Sequence, residues 1–423
     1  MSDAQFKATV IVPVYNVKKY LSTCFDSLVN QTIGFNNMEV VFVNDGSTDG
    51  GEEICKEFAD KYDNVFLYSK ENGGLSSTRN YGLAHSHGKY IFFLDSDDRF
   101  RNDTVKAVTD FFDTVYDTVD LVTFRIIQYY NNEPVIVHYR YRTLTETGVY
   151  DLWDPNNRFI SQTNINICIK NRGENNPVFD TTKGFRHEDE KFCCEVIKEK
   201  MKIGFCDKGE YCYNRDNMDS IVSTLFSPEN IFESSMKYYE KLFESFGSVV
   251  PTYFQGFVFN DLQWKLRDKK LLPTHLDGNE WLKANERIDN LLSKIDEDTI
   301  VLHPAVSENY RYYWLMRRPN SHPIVTDESG FLCIFSDGRK LYETKKIKLQ
   351  KADNGYRLIS PVFFFLNPNQ FRLVCNGKEI ELNKSKDLRS TDILDILPCF
   401  KKEISPDDKI IIVINSKAYN CTI

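Results

Sequence analysis

The stretch Tyr90-Ile91-Phe92-Phe93-Leu94-Asp95-Ser96-Asp97-Asp98 decides the reading of this chain. Five apolar residues, a strand's length and too few for a helix, run straight into three carboxylates within four positions. A strand apolar at every residue is buried on both faces, as in a parallel sheet covered by helices. Ligands of such sheets collect beyond the carboxyl ends of the strands, which is where these aspartates fall. Taken alone, Asp-x-Asp is also an ordinary solvated turn with capping carboxylates. Its neighbours along the chain decide between the two.

Working outward, residues 8–12 form an apolar strand closed by Pro13. Residues 18–30 follow with Leu21, Cys24, Phe25 and Leu28 at the spacing of one helix face. A second strand at 39–43 ends in Asn44-Asp45-Gly46-Ser47-Thr48-Asp49, a turn and then a helix N-cap for 52–62. A third strand at 65–68 leads through Asn72-Gly73-Gly74 into a helix over 76–86. The polar clusters 13–16, 44–47, 72–74 and 95–98 therefore converge on one edge of an α/β sheet.

Crowded carboxylates repel one another unless a cation binds. Hard divalent ions take carboxylate oxygens and keep positions open for substrate phosphates. Asp95, Asp97 and Asp98 thus fit a Mn2+ or Mg2+ site that neutralises a diphosphate leaving group. Residues 8–100 resemble the nucleotide-binding half of family 2 glycosyltransferases, which have the GT-A fold with a mixed sheet. The matching pieces are Ile11-Val12-Pro13-Val14-Tyr15-Asn16, Val43-Asn44-Asp45-Gly46-Ser47-Thr48-Asp49, Asn72-Gly73-Gly74-Leu75-Ser76 with Arg79-Asn80, and Phe93-Leu94-Asp95-Ser96-Asp97-Asp98. The resemblance implies that Pro13 and Tyr15 line the base pocket and that Asp45 hydrogen-bonds the base, commonly uracil. It places Arg79 at the nucleotide, counts Gly73, Gly74 and Ser96 among the donor-binding residues, and gives metal and donor to Asp95, Asp97 and Asp98. Asn44 departs from the family, which often has an aspartate there.

An acceptor hydroxyl also needs a base. His187-Glu188-Asp189-Glu190 opens an amphipathic helix whose apolar face is Phe192, Cys193, Val196 and Ile197. Acidic residues at a helix N-terminus are favoured by the dipole whatever their function. The resemblance implies that this acidic pair supplies the general base, Asp189, or Glu188 or Glu190 if the register slips by one. A single base with a metal-held leaving group implies inversion. Tyr213-Asn214-Arg215 with Ser220 and Ser223 resembles a loop that closes over the diphosphate, Arg215 offering a forked phosphate contact. A plain surface arginine is the alternative.

Strands are expected near 121–130 and 135–142, a helix over 188–199, and helices through 228–318 with Trp264, Trp281 and Trp314 at apolar positions. Beyond Pro319 short β segments (331–335, 345–349, 362–365, 371–374, 409–414) alternate with turn residues. The expected division is a GT-A catalytic domain at 1–225, a helical acceptor-side segment at 226–320, and a β-sandwich-like module at 321–423. Residues 188–229 are similar to enzymes that add N-acetylhexosamine to wall teichoic acid, whose C-terminal β modules serve oligomerisation; a homo-oligomer is therefore expected. His138, Arg140 and Arg142 alternate with Tyr139 and Tyr141, a basic face for an anionic acceptor or, more plainly, a solvated sheet face.

The bulk numbers set the outer bounds. At 423 residues the chain is too long for one ordinary domain, and 41% hydrophobic with 27% charged is a globular balance. A net charge of −8 lacks the basic field of a nucleic-acid binder. The 11 cysteines include no CxxC pair, which fits a reducing compartment, and Cys193, Cys194, Cys206 and Cys212 match no zinc spacing. No signal peptide is visible and no apolar stretch is of spanning length, so a cytoplasmic protein is expected, with contact to the inner membrane face allowed. The expected activity is transfer of a hexose or N-acetylhexosamine from a UDP-sugar to a glycan hydroxyl of a bacterial surface polymer: teichoic acid, capsule or lipopolysaccharide. The rival is a non-catalytic sugar-binding or scaffold protein of the same fold, against which the intact carboxylates argue. A nicotinamide enzyme is disfavoured because residues 13–16 are no glycine-rich fingerprint.

Overall fold

The computed structural model describes residues 5–137, 143–160, 164–216, 228–273, 275–318, 324–327, 330–334, 340–344, 347–352, 355–360, 362–366, 368–383, 397–414 and 416–422. The chain forms two compact units, Met1–Phe226 and Ser227–Ile423.

The first unit opens with β1 (Phe6–Val14), α1 (Lys18–Val29), β2 (Met38–Asn44), α2 (Gly51–Lys61), β3 (Val65–Ser69), α3 (Leu75–Ala84) and β4 (Gly88–Phe93). There follow β5 (Arg99–Phe100), α4 (Thr104–Thr114), β6 (Leu121–Tyr130), β7 (Glu133–Val137), β8 (Gly148–Asp151), β9 (Ile167–Lys170), α5 (Glu188–Ile197) and β10 (Lys202–Asn214). All ten strands join one sheet in the order β3-β2-β1-β4-β9-β6-β10-β5, with β7 on β6 and β8 on β10. Strands β1 to β4 are mutually parallel, whereas β9 runs antiparallel to both β4 and β6, so the sheet is mixed. Every residue of β2 is buried, including Glu39 and Asn44, as in a strand covered on both faces.

Short residues let the helices approach. A Cβ on Gly82 of α3 would lie 2.4 Å from Ile11 Cγ2 of β1. Phe25 of α1 stacks on Phe58 of α2 at 3.9 Å. The start of α2 differs from expectation: Gly50, left-handed at φ 81°, is its N-cap and no side chain caps it. Asp49 instead ties two helix starts together, Oδ1 accepting from Gly51 N (2.9 Å) and Oδ2 from Lys18 N (2.8 Å).

The second unit begins with helices α6 (Pro228–Glu244), α7 (Thr252–Arg267), α8 (Gly278–Ser293), α9 (Glu297–Val301) and α10 (Glu308–Met316). Trp281 and Trp314 are buried among them. Strands β11 (Ile324–Asp327), β12 (Gly330–Ile334) and β13 (Lys340–Thr344) make a three-stranded antiparallel sheet. After β14 (Ile347–Ala352) and β15 (Gly355–Ile359) comes α11 (Val362–Phe365), and then β16 (Phe371–Cys375), β17 (Lys378–Ile380), β18 (Cys399–Phe400), β19 (Ile410–Ile414) and β20 (Lys417–Thr422). These strands form a seven-stranded sheet. The expected strand at 362–365 is therefore a helical turn, closed by Leu366 N to Val362 O at 3.2 Å. Val362, Phe363, Phe364 and Leu366 are all buried, so the stretch carries no periodicity to tell strand from helix. The strand expected at 135–142 is seen as β7; His138, Tyr139, Arg140, Tyr141 and Arg142 lie outside the described residues. Among the described residues no helix is long and apolar enough to cross a membrane.

Candidate active site

The carboxyl ends of β1, β2 and β4 deliver the expected clusters. Pro13 is buried in β1, and Tyr15 just beyond it leaves half its surface exposed (50%). Asn16, at φ 51°, joins the next loop: its Oδ1 accepts from Thr48 N at 2.8 Å and its own N–H reaches Ser47 Oγ at 3.2 Å. Asn44 is buried; Nδ2 donates to Glu52 Oε2 (2.8 Å) while Oδ1 accepts from Ser47 N (3.0 Å). An aspartate could not make the first of these bonds.

Asp45 is the hub of the loop. Its Oδ1 accepts from Gly73 N and its Oδ2 from Gly74 N, both at 2.9 Å, and Lys70 pairs with it. Gly73 and Gly74 thus direct their amides at Asp45 and meet the site through it. Gly74, at φ +83°, needs the freedom of glycine to turn into α3.

The four residues 95–98 make a turn, Asp98 N bonding Asp95 O at 2.9 Å. Asp95 and Asp97 are partly exposed; Ser96 and Asp98 point inward and are buried. Asp98 accepts from Asn214 N at 2.7 Å and from the Tyr211 hydroxyl, and that hydroxyl in turn accepts from Asp95 N at 3.1 Å. The three aspartates therefore do not form one ready-made cage, and among the described residues no three metal-ligating side chains do. Burial, and then the charges of Asp97 and Asp95, push the Asp98 carboxyl well above its usual range. Negative charge is in excess at this turn, and a divalent cation would relieve it. Octahedral Mg2+ or Mn2+ asks for one or two carboxylates plus phosphate and water, not a full protein cage. Asp95 and Asp97 fit that demand.

A cavity of about 210 Å³ opens on the other flank of the turn, lined by Tyr20, Thr23, Asp97, Asp98, Arg99, Tyr129, Asn132, Cys212, Asn214 and Asp216. Arg99 stacks over Tyr129 (4.6 Å) and donates to Asn132 Oδ1 at 2.9 Å.

Asp189 sits in the first turn of α5, behind the N-cap residue His187, which pairs with Glu190. Its Oδ1 accepts from Arg79 Nη1 at 2.6 Å, and Arg79 Nη2 donates to Asp95 Oδ1 at 2.8 Å. One guanidinium, 1% exposed, therefore holds the acidic turn and the helix start together. Burial pushes the Asp189 carboxyl up to about 7; Arg79 opposes this, while Glu188, Asp95 and Glu190 add to it.

Arg215 lies exposed at the end of β10, its backbone N–H on Tyr129 O (2.8 Å) and its guanidinium 5.9 Å from the Tyr213 ring. Ser220 and Ser223 lie outside the described residues. Sequence reasoning missed Tyr211 and Asn214 as partners of the acidic turn. They arrive on β10, antiparallel to β5 with Tyr211 opposite Phe100, a pairing far apart in the chain that no local pattern announces. It also missed Phe179, whose backbone exchanges two hydrogen bonds with Asn80 (2.9 and 2.7 Å) and whose ring faces Arg79 at 5.4 Å.

Over residues 9–169 the sequence matches one described family, Glycosyl transferase family 2. The chain carries a domain of that family. The expected resemblance is thereby shown, and the sheet with its helices is GT-A-like, followed by a separate all-β sheet module. The minor teichoic acid biosynthesis protein GgaB of Bacillus subtilis (strain 168) is 34% identical over 313 residues, 73% of this chain. The chain spans 34% of that relative's length. Among solved structures, S. aureus TarS 1-349 in complex with UDP-GlcNAc superposes with a TM-score of 0.58 at 19% identity, covering 80% of this chain and 99% of that one. The longer S. aureus TarS gives 0.57 at 17%, covering 99% of this chain and 77% of the other. At such identities the likeness is one of fold alone.

Proposed function

We propose that this chain is an inverting glycosyltransferase that moves a hexose or N-acetylhexosamine from a UDP-sugar to a hydroxyl of a bacterial cell-surface polymer. The observation that carries the reading is the meeting of Asp95, 2.8 Å, and Asp189, 2.6 Å, on one buried guanidinium. A donor-side carboxylate and a carboxylate able to take a proton are thus held at one site. Teichoic acid is the favoured polymer class, supported by the name of GgaB and by the fold shared with a UDP-GlcNAc-bound TarS; capsule and lipopolysaccharide remain the other classes of the same chemistry.

In this mechanism the exposed ring of Tyr15, backed by Pro13, stacks on the nucleobase, and the loop organised by Asp45 with Gly73 and Gly74 presents its polar edge. Asp95 and Asp97, set by the Ser96 turn, face the diphosphate, with Asp98 bracing them from behind. Mn2+ or Mg2+ held by Asp95 and Asp97 would neutralise the charge that develops on the leaving UDP. Arg215, exposed at the end of β10, adds a phosphate contact. Asp189 accepts the acceptor hydroxyl's proton as that oxygen attacks the anomeric carbon from the face opposite UDP. With no second carboxylate acting as nucleophile, the displacement is single and inverting.

The test is UDP release from a panel of UDP-glucose, UDP-galactose and their N-acetyl forms, with Mn2+ or with chelator. Metal-dependent release with one donor is expected. Asp189→Asn should lower turnover by about 10²–10⁴-fold while leaving UDP affinity in place. No release from any donor, together with no metal binding, would make the chain a non-catalytic scaffold.

A further inference from the structure

The residue that joins the two carboxylates has chemistry of its own. Both terminal nitrogens of Arg79 are engaged, one on each carboxylate, and the side chain is 1% exposed. An arginine that bound phosphate would turn its fork outward, whereas this fork is directed across the protein. Its Nε has no hydrogen-bond partner among the described residues. The orientation is therefore set by the two charge-assisted bonds, which outweigh the unmet Nε donor. The surroundings hold it in place. Phe179 lies over the guanidinium at 5.4 Å and is stacked on Phe192 of α5 at 4.0 Å, while Phe93 of β4 packs edge-on to both rings at 5.4 and 5.5 Å. Asn80, the next residue along α3, clamps the Phe179 backbone through both ends of its amide. The same aromatic cluster thus joins β4, which leads into the turn holding Asp95, to α5, which carries Asp189.

We propose that Arg79 is a positioning residue, a fixed strut that sets the spacing between the donor-side Asp95 and the base Asp189, and not a ligand of the nucleotide. The inference rests on the reading of Asp189 as the base. A strut acts on the reacting geometry and leaves donor binding alone. Displacing a catalytic group by about 1 Å can cost on the order of 10²-fold in rate. A lysine keeps the charge but offers a point ammonium in place of a planar fork, so it cannot hold both carboxylates in this geometry.

The experiment compares wild type, Arg79→Lys, Asp189→Asn and the double variant by UDP release from UDP-N-acetylglucosamine with Mn2+, and by calorimetric UDP binding. Arg79→Lys should lower kcat by about 10²-fold with donor KM and UDP Kd within about threefold of wild type. On the Asp189→Asn background it should cause no further loss, because the residue it positions is already disabled. A tenfold weaker UDP affinity with kcat retained would make Arg79 a nucleotide ligand and overturn the proposal. So would losses that multiply in the double variant. If Asp189→Asn alone leaves kcat intact, the base reading fails, and the UDP-binding arm still judges Arg79 separately. Should Arg79→Lys not fold, arginine side-chain 15N spectra of the wild type decide. Slowly exchanging Arg79 Nη protons that UDP with Mn2+ does not shift support the strut; a shift typical of direct contact overturns it.

Discussion

Asp189 is held near neutrality by opposing forces, and this makes its titration visible. The carboxyl stands raised to about 7: burial is the largest force pushing it up, Arg79 opposes it, and Glu188 is the first of the neighbouring charges that add to the rise. A general base works only when deprotonated. The value of kcat/KM should therefore climb with pH up to about 7 and level off above it. Glu188→Gln removes a charge that disfavours ionisation, so its acidic limb should move to lower pH. Rate profiles of the two proteins between pH 5 and 9 check this (~tenfold per pH unit on the limb); a limb that stays put or moves upward would count against Asp189. Asn44 offers a second test at this scale. It is buried, donates to Glu52 and accepts from Ser47 N. Asn44→Asp would set two carboxylates against each other with no donor between them. A loss of about 1–3 kcal/mol is expected, read as a lower denaturation midpoint with an unchanged m-value. An unaltered midpoint would mean that the loop relaxes around the charge.

At the scale of elements, the site depends on how closely α3 lies on β1. Gly82 is one turn beyond Arg79 on that helix, and a Cβ there would come within 2.4 Å of the stiff β-branched Ile11. Gly82→Ala should push α3 outward, costing about 1–3 kcal/mol and lowering Tm by roughly 2–10 °C. Because Arg79 moves with the helix, kcat should fall while UDP affinity holds; a melting point equal to wild type would show that Ile11 yields instead. This helix was legible in the sequence, as were α1, α2 and the first four strands, with ends within a few residues. Each is a short local run whose period is set by burial on one face or two. The helix start at Glu188 was legible for the same reason. What went unread was α4, the reach of β10 and the partnership of Tyr211 with Asp95 and Asp98. The helix α4 does carry a local period, with Val105, Val108 and Phe112 on its buried face, and was simply not read. The other two depend on pairing between distant segments, parallel to β6 and antiparallel to β5, and local periodicity says nothing about which strands become neighbours. The contact of Arg79 with Asp189 was hidden for a related reason, since the motif places Arg79 near Asp95 in sequence but Asp189 arrives from far along the chain. The apolar run at 362–365 failed differently: Val362, Phe363 and Phe364 are buried one after another, so they carry no period to read.

At the scale of the whole molecule, everything the proposed chemistry uses lies in one of the two compact units. Tyr15, Asp45, Arg79, Asp95, Asp97, Asp189, Tyr211 and Arg215 all fall within Met1–Phe226, together with the ten-stranded sheet. Among the described residues, the pairings of that sheet join strands of this unit to one another. A chain cut after Phe226 should therefore melt cooperatively and bind UDP with Mn2+ within about threefold of the full-length affinity, as independent domains do. The second unit, with its helices and its β sheets, is then free to serve assembly or hold the polymer. If assembly lies there, light scattering should find residues 1–226 monomeric and the full chain larger than one copy. Turnover on a short acceptor should survive the cut, while turnover on a long polymer should fall if the second unit grips it. A fragment 1–226 that neither melts cooperatively nor binds UDP would show that the family 2 domain requires the second unit to fold. The acceptor contribution would then have to be tested by point substitution in the intact chain.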